Sequence, residues 1–242
     1  MKIKLFLDGA NLEEILSFKN ASHISGFTTN PSLMKKAGVS DYMQFAETLA
    51  KEIPKDKDVS LEVVADELPE MERQAAKITE VSENFYAKIP ITNTKGEFTG
   101  PIIKSLGDKG VKVNVTAIMT ASQVTKLSEF LSDSTPSVVS VFAGRIADTG
   151  IDPRDCMYEC VKALNDKPVS ELLWASCREV FNIYQACQVQ PLGYPTTSVD
   201  IITVSSSIIH KFFDSKDKNL DQFSLETVKD FYKDAQDAGY SL

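Results

Sequence analysis

Short runs of β-branched and aromatic residues recur along the chain, each closed by a turn signal. They are Lys4–Asp8, Ile24–Thr28, Val59–Val63, Asn84–Lys88, Lys112–Thr116, Val138–Phe142, Leu172–Ser176 and Val199–Val204, eight candidate strands in all. Between them lie stretches with apolar residues at helical spacing, among them Tyr42–Lys51, Glu70–Val81, Ala121–Leu131, Pro153–Leu164 and Arg178–Cys187. The strands follow one another at roughly 20 to 35 residues, long enough for a right-handed βαβ crossover each time. Strict alternation in eight units predicts the α/β class and a closed (β/α)8 TIM barrel, a single domain over residues 1–242. A doubly wound open sheet alternates in the same way, but it usually carries a glycine-rich phosphate loop after its first strand. Neither G-x-G-x-x-G nor a P-loop is present. A further amphipathic stretch, Ser224–Ala238 after the loop KDKNLDQ, exceeds the eight units. It is expected as an extra C-terminal helix, outside the barrel or against a neighbouring subunit of a homo-oligomer.

Composition narrows the function classes. With 242 residues, 43% of them hydrophobic, the chain can fill one substantial core. A formal net charge of −8 offers no positive face for nucleic acid or an anionic membrane, so neither is expected as a partner. The apolar run in MKIKLFLDGANLEE meets acid at Asp8 too soon for a signal segment, and no later run approaches a bilayer span. A cytoplasmic location is expected. The four cysteines show no framework spacing, which suits a reducing compartment. His23 and His210 are the only histidines, too few for a histidine-rich zinc site or a Ser/His/Asp triad. Cys156 and Cys160 stand at i,i+4 without a matching pair, and are expected as helix thiols rather than ligands. No metal and no cofactor are expected.

Barrel active sites are assembled from the C-terminal ends of the strands. The polar residues there are Asp8, Thr28 to Asn30, Glu62, Lys88, Asn114, Thr116, Ser140 and Ser176. Alternation on a strand places Asn114 with Thr116, Ser140 with Phe142, and Tyr86 with Lys88 on common faces. Lys88 stands out in AKIPIT, an apolar run in which a charged amine is costly; desolvation favours the neutral amine, which attacks carbonyls to give a Schiff base. A lysine snorkelling at the rim or paired with Glu62 fits the position as well. Asp8 and Glu62 could serve as general acid and base, with Thr116 holding a water. Asp8 could equally cap a helix over Asn11–Leu16. Arg145 in SVFAGRIAD and Arg178 in ASCR, with Ser176, read as an anion clamp, and ion pairing with Asp148 or Glu179 competes with that.

The motifs LDGAN, TTNPSL, LEV, AKIPIT, NVTAIMTASQ, SVFAGRI and ASCR occur in this order from Asp8 to Arg178, each at a strand end. Together they resemble the transaldolases, and the chain length is similar to that of the small subgroup that includes the fructose-6-phosphate aldolases, which often form rings. The resemblance implies a cofactor-free imine on Lys88 with a ketose phosphate. Asp8 would take the hydroxyl proton that triggers carbon–carbon cleavage, and Glu62 and Thr116 would act through a water. Asn30 and Asn114 would hold the dihydroxyacetone unit, and Ser140 and Phe142 would line the substrate. Arg145, Ser176 and Arg178 would bind the phosphate. The three-carbon unit would pass from a donor such as sedoheptulose 7-phosphate or fructose 6-phosphate to an aldose phosphate. Gly9 stands where a hydroxyl residue is often found, and Val141 where proline is usual. The aldolases carry glutamine and tyrosine where this chain has Glu62 and Phe142, which implies transfer over release. Simple cleavage of fructose 6-phosphate, action on another anionic ketose, and sugar-phosphate binding without turnover are the alternatives.

Overall fold

The computed structural model describes residues 3–190 and 196–241. Two compact units are resolved, one running through Ser206 and one from Ser207 onward. The first is a closed barrel of eight parallel strands in sequential order. Its strands are β1 Lys4–Asp8, β2 Gly26–Thr28, β3 Asp58–Glu62, β4 Phe85–Pro90, β5 Val113–Ile118, β6 Ser137–Val141, β7 Ser170–Trp174 and β8 Ile201–Val204. The crossovers carry α1 Leu12–Phe18, α2 Pro31–Lys36, α3 Tyr42–Glu52, α4 Leu68–Glu80, α5 Gly100–Asp108, α6 Ala121–Ser128, α7 Ala143–Asp148, α8 Pro153–Ala163 and α9 Phe181–Ala186. The second unit holds α11 Leu220–Asp237 and all of α10 Ser206–Ser215 but its first residue.

Both faces of the strands are covered, which explains their near-continuous apolar runs. Leu5, Leu7, Leu61, Ala87, Ile89, Val115, Val139, Leu172 and Ile202 are all at most 2% exposed. The opposite parity fills the interior, where Phe6, Tyr86, Val138, Leu173, Ala175 and Ile201 form one cluster. Two residues further along the same strands, that parity delivers Asp8, Lys88, Ser140 and Thr203 to the mouth. At the other end of the barrel Lys4 pairs with Glu171 at 2.7 Å, and Lys112 lies over the Tyr86 ring.

The eight expected strands are present, with shifted ends. Lys88 is not the last residue of β4, which runs on to Pro90, so the lysine is threaded inside the strand. Helix α9 begins at Phe181 rather than Arg178 because the Asn182 side chain accepts from the backbone N–H of Arg178 and Glu179, holding that stretch as a loop. Helix α11 begins at Leu220, inside the expected loop, because the Asn219 side chain caps it through the Gln222 N–H. Helix α6 ends at Ser128, a turn earlier than expected. Between Val115 and Ile118 the β5–β6 register shifts, and Ala117 there takes a φ of 60°.

Candidate active site

A cavity opens at the C-terminal ends of the strands. Asp8, Thr28, Asn30, Lys88, Thr116, Ser140, Phe142, Arg145, Ala175, Ser176 and Thr203 line it. Eight of the eleven residues expected from the sequence therefore meet in one place.

Strand register sets the centre. Glu62, Lys88 and Asn114 are consecutive neighbours across β3, β4 and β5. Lys88 is 5% exposed. Its Nζ lies 3.1 Å from Glu62 Oε2 and donates to the Thr29 carbonyl at 3.0 Å. Burial and pairing with Glu62, which the sequence offers as competing descriptions, are both present. A pair this deep is held by geometry and hydrogen bonds, because desolvation offsets much of its attraction.

Asp8 faces the amine from across the barrel. The helix following β1 is capped by Asn11, whose side chain accepts from the Glu14 N–H. Asp8 is thus released from the capping role and accepts instead from Thr28 Oγ1 at 2.8 Å. Thr28 Oγ1 lies 2.5 Å from Thr203 Oγ1, and both threonines are buried. Burial pushes the Asp8 carboxyl above its ordinary range, while the Lys88 charge and the Thr28 hydrogen bond pull it back. A carboxylate poised in this way can both take and return a proton.

Asn114 does not line the cavity. It is fully buried, donates to Ser60 Oγ at 3.0 Å and accepts from Ser140 Oγ at 2.7 Å, so its direct effect is to orient Ser140. Asn30 caps α2 through its side-chain oxygen, which leaves its amide N–H2 for a ligand. Glu62 also borders a second crevice with Tyr42, Arg73, Gln74 and Lys77, and the Tyr42 hydroxyl donates to the Glu62 carbonyl at 2.7 Å.

Arg145 borders the cavity with its guanidinium 5.3 Å from the Phe142 ring centroid. Arg178 does not border it and is paired with Asp148. Ser176 has a φ of 65°, a left-handed conformation that a non-glycine residue takes at a cost. Its carbonyl lies so near Gly144 that a Cβ there would sit 1.6 Å from the oxygen.

Thr203 and the role of Thr28 were not expected. The signal was available, since a polar residue at inward parity in IITV matches the rule that picks out Ser140 and Asn114. Cys156 and Cys160 stand at i,i+4 on α8, and neither lines the cavity. Among the described residues, no helix is long and apolar enough to cross a membrane.

The family model for transaldolase/fructose-6-phosphate aldolase matches residues 5–242. Relatives named "Probable transaldolase" include one from Methanococcus maripaludis (strain C5), 29% identical over 87% of this chain and 90% of its own. Another, from Dehalococcoides mccartyi, is 33% identical over 77% of this chain and 82% of its own. A third, from Clostridioides difficile, is 29% identical over 91% and 95%. Among solved structures, an isomerase candidate from Sinorhizobium meliloti aligns with a TM-score of 0.58 at 9% identity, over 87% of this chain. This chain spans about half of that one (51%), and the likeness is one of fold alone. The order of motifs, the barrel that carries them and the match over nearly its whole length place this chain in the transaldolase/fructose-6-phosphate aldolase family.

Proposed function

We propose that this protein is a transaldolase that carries a dihydroxyacetone unit on Lys88 from a ketose phosphate to an aldose phosphate. The observation that carries the proposal is the amine of Lys88, buried in the barrel between Glu62 and a cavity that Asp8 also faces. In the proposed sequence the amine adds to the ketose carbonyl and loses water to give an iminium, with Glu62 and Thr116 managing the water. Asp8 takes the proton of the hydroxyl next to the scissile bond. That bond breaks, its electron pair moves into the enamine on Lys88, and the aldehyde leaves. The enamine then attacks the acceptor aldehyde, Asp8 returns the proton to the new hydroxyl, and hydrolysis frees Lys88. Asn30 and the Asn114–Ser140 pair hold the three-carbon unit, and Arg145, Ser176 and Arg178 take the phosphate.

Whether the unit is transferred or released turns on Phe142. A phenyl ring can neither donate a proton nor orient a water at the enamine carbon, so the intermediate waits for an acceptor. Fructose 6-phosphate alone should give slow dihydroxyacetone release, and addition of erythrose 4-phosphate should give fast transfer. Phe142→Tyr should raise the ratio of release to transfer by about tenfold or more, short of the roughly 10²- to 10⁴-fold that a fully positioned proton donor contributes. Release by the unmodified protein as fast without acceptor as with it would establish the aldolase alternative instead.

A further inference from the structure

We propose that Asp148 is a specificity-determining residue that holds Arg178 away from the cavity and gives it up to a dianionic phosphate. The proposal rests on the assignment of Arg145, Ser176 and Arg178 as the anion clamp.

Arg145 and Asp148 lie three residues apart on α7, so they share one side of that short helix. Arg178 reaches the same place from the loop after β7, its Cγ passing 3.5 Å from where a Cβ on Gly144 would stand. There it meets Asp148 at two points, Nε to Oδ1 at 3.1 Å and Nη2 to Oδ2 at 2.5 Å. Asp148 thus occupies the Nε/Nη2 edge of the guanidinium, one of its two bidentate edges, and holds the group away from the cavity. Arg145, by contrast, borders the cavity and rests against Phe142.

The exchange is a movement of one side chain. The backbone N–H of Arg178 is fixed by Asn182 Oδ1 at 2.8 Å, so the loop stays and only the side chain must swing. The Arg178 and Asp148 side chains are 46% and 51% exposed, and an ion pair in that setting is weakly held. A phosphate dianion offers more charge and a matching fork, and outcompetes the carboxylate; a neutral sugar terminus or a monoanionic one does so poorly. Without a phosphate, Asp148 neutralises one of two neighbouring guanidiniums. With one, the pull of Asp148 on Arg178 lowers affinity and discriminates by charge.

The test is competitive inhibition by inorganic phosphate against fructose 6-phosphate. Asp148→Asn should lower the inhibition constant roughly two- to fivefold, the scale of one exposed ion pair, and lower the KM for fructose 6-phosphate in step. Asp148→Ser should move both in the same direction. In an Arg178→Ala background, Asp148→Asn should lose most of this gain. An unchanged or raised constant in Asp148→Asn, or a gain that persists undiminished without Arg178, would overturn the exchange. Arg145→Ala and Arg178→Ala alone should each raise the constant about ten- to a hundredfold. If they do and Asp148→Asn fails, only the exchange falls. If they do not, the clamp itself falls and the exchange with it.

Discussion

Borohydride added together with fructose 6-phosphate will inactivate the protein and leave its adduct on Lys88. The amine and the ketose carbonyl condense with loss of water, and hydride reduces the resulting iminium to a stable secondary amine. Peptide mass analysis reads the site directly. Lys88 is singled out by its surroundings, a 5% exposed residue and the one lysine among the described residues that line the cavity. Truncation to alanine removes the nucleophile, but it also leaves Glu62 facing a buried gap without its partner at 3.1 Å. Lys88→Arg is therefore the sharper variant, because the guanidinium keeps the charge and forms no imine. Both substitutions should lower turnover on the order of 10⁴-fold or more, the scale seen when a covalent nucleophile is removed. Modification of a different lysine, or turnover surviving in Lys88→Arg, would refute the assigned mechanism.

Gly144→Ala should also be damaging, although residue 144 bears no chemistry. Helix α7 starts so close to the end of β7 that the added carbon would stand 1.6 Å from the Ser176 carbonyl oxygen and 2.6 Å from its carbon. Backbone lies on both sides of this contact, so no side-chain rotation relieves it. Ser176, Ala175 or the first turn of α7 must shift by more than about 1 Å, and displacement on that scale can cost on the order of 10²-fold in rate. Overpacking of this kind also lowers stability by about 1 to 3 kcal/mol. The loss in kcat/KM should be largest for phosphorylated donors, because Ser176 and Arg145 flank the contact. Gly9→Ala is the control, since its added carbon meets Glu14 Oε2 at an ordinary 3.4 Å. Comparable kcat/KM and melting temperature in the two variants would show that the close approach is not needed.

The fold was legible because every strand is buried on both faces, which makes each one a compact apolar run between turns. Lys88 and Asp8 were legible for a related reason, as polar residues at inward parity stand out in such runs. What the sequence left open was the partner of each group. On paper Asp8 could cap a helix over Asn11–Leu16, and only the backbone path gives the Glu14 N–H to Asn11. Asn114 has the composition of a ligand-binding amide, yet Ser60 and Ser140 occupy both of its ends. Thr203 in IITV reads equally as a β-branched strand former, so its polarity at inward parity does not stand out. The helices α2 and α7 are six residues each, less than two turns, too short to show a periodicity. The Gly144 contact joins elements brought together by the closed barrel, and nothing local marks it.

Ala117 carries a consequence of another kind. It is exposed, yet it occupies the left-handed region at φ 60°, between Thr116 at the cavity and Ile118 beyond the register shift. Glycine, asparagine and aspartate accept that backbone, whereas valine, isoleucine and threonine oppose it through their branched Cβ. Drift at this solvent-facing site is thereby confined to a few small or short polar residues. In a set of diverging relatives such a position would look as invariant as a ligand contact while touching no ligand, its restraint written entirely in the peptide torsion that sets the direction of Thr116.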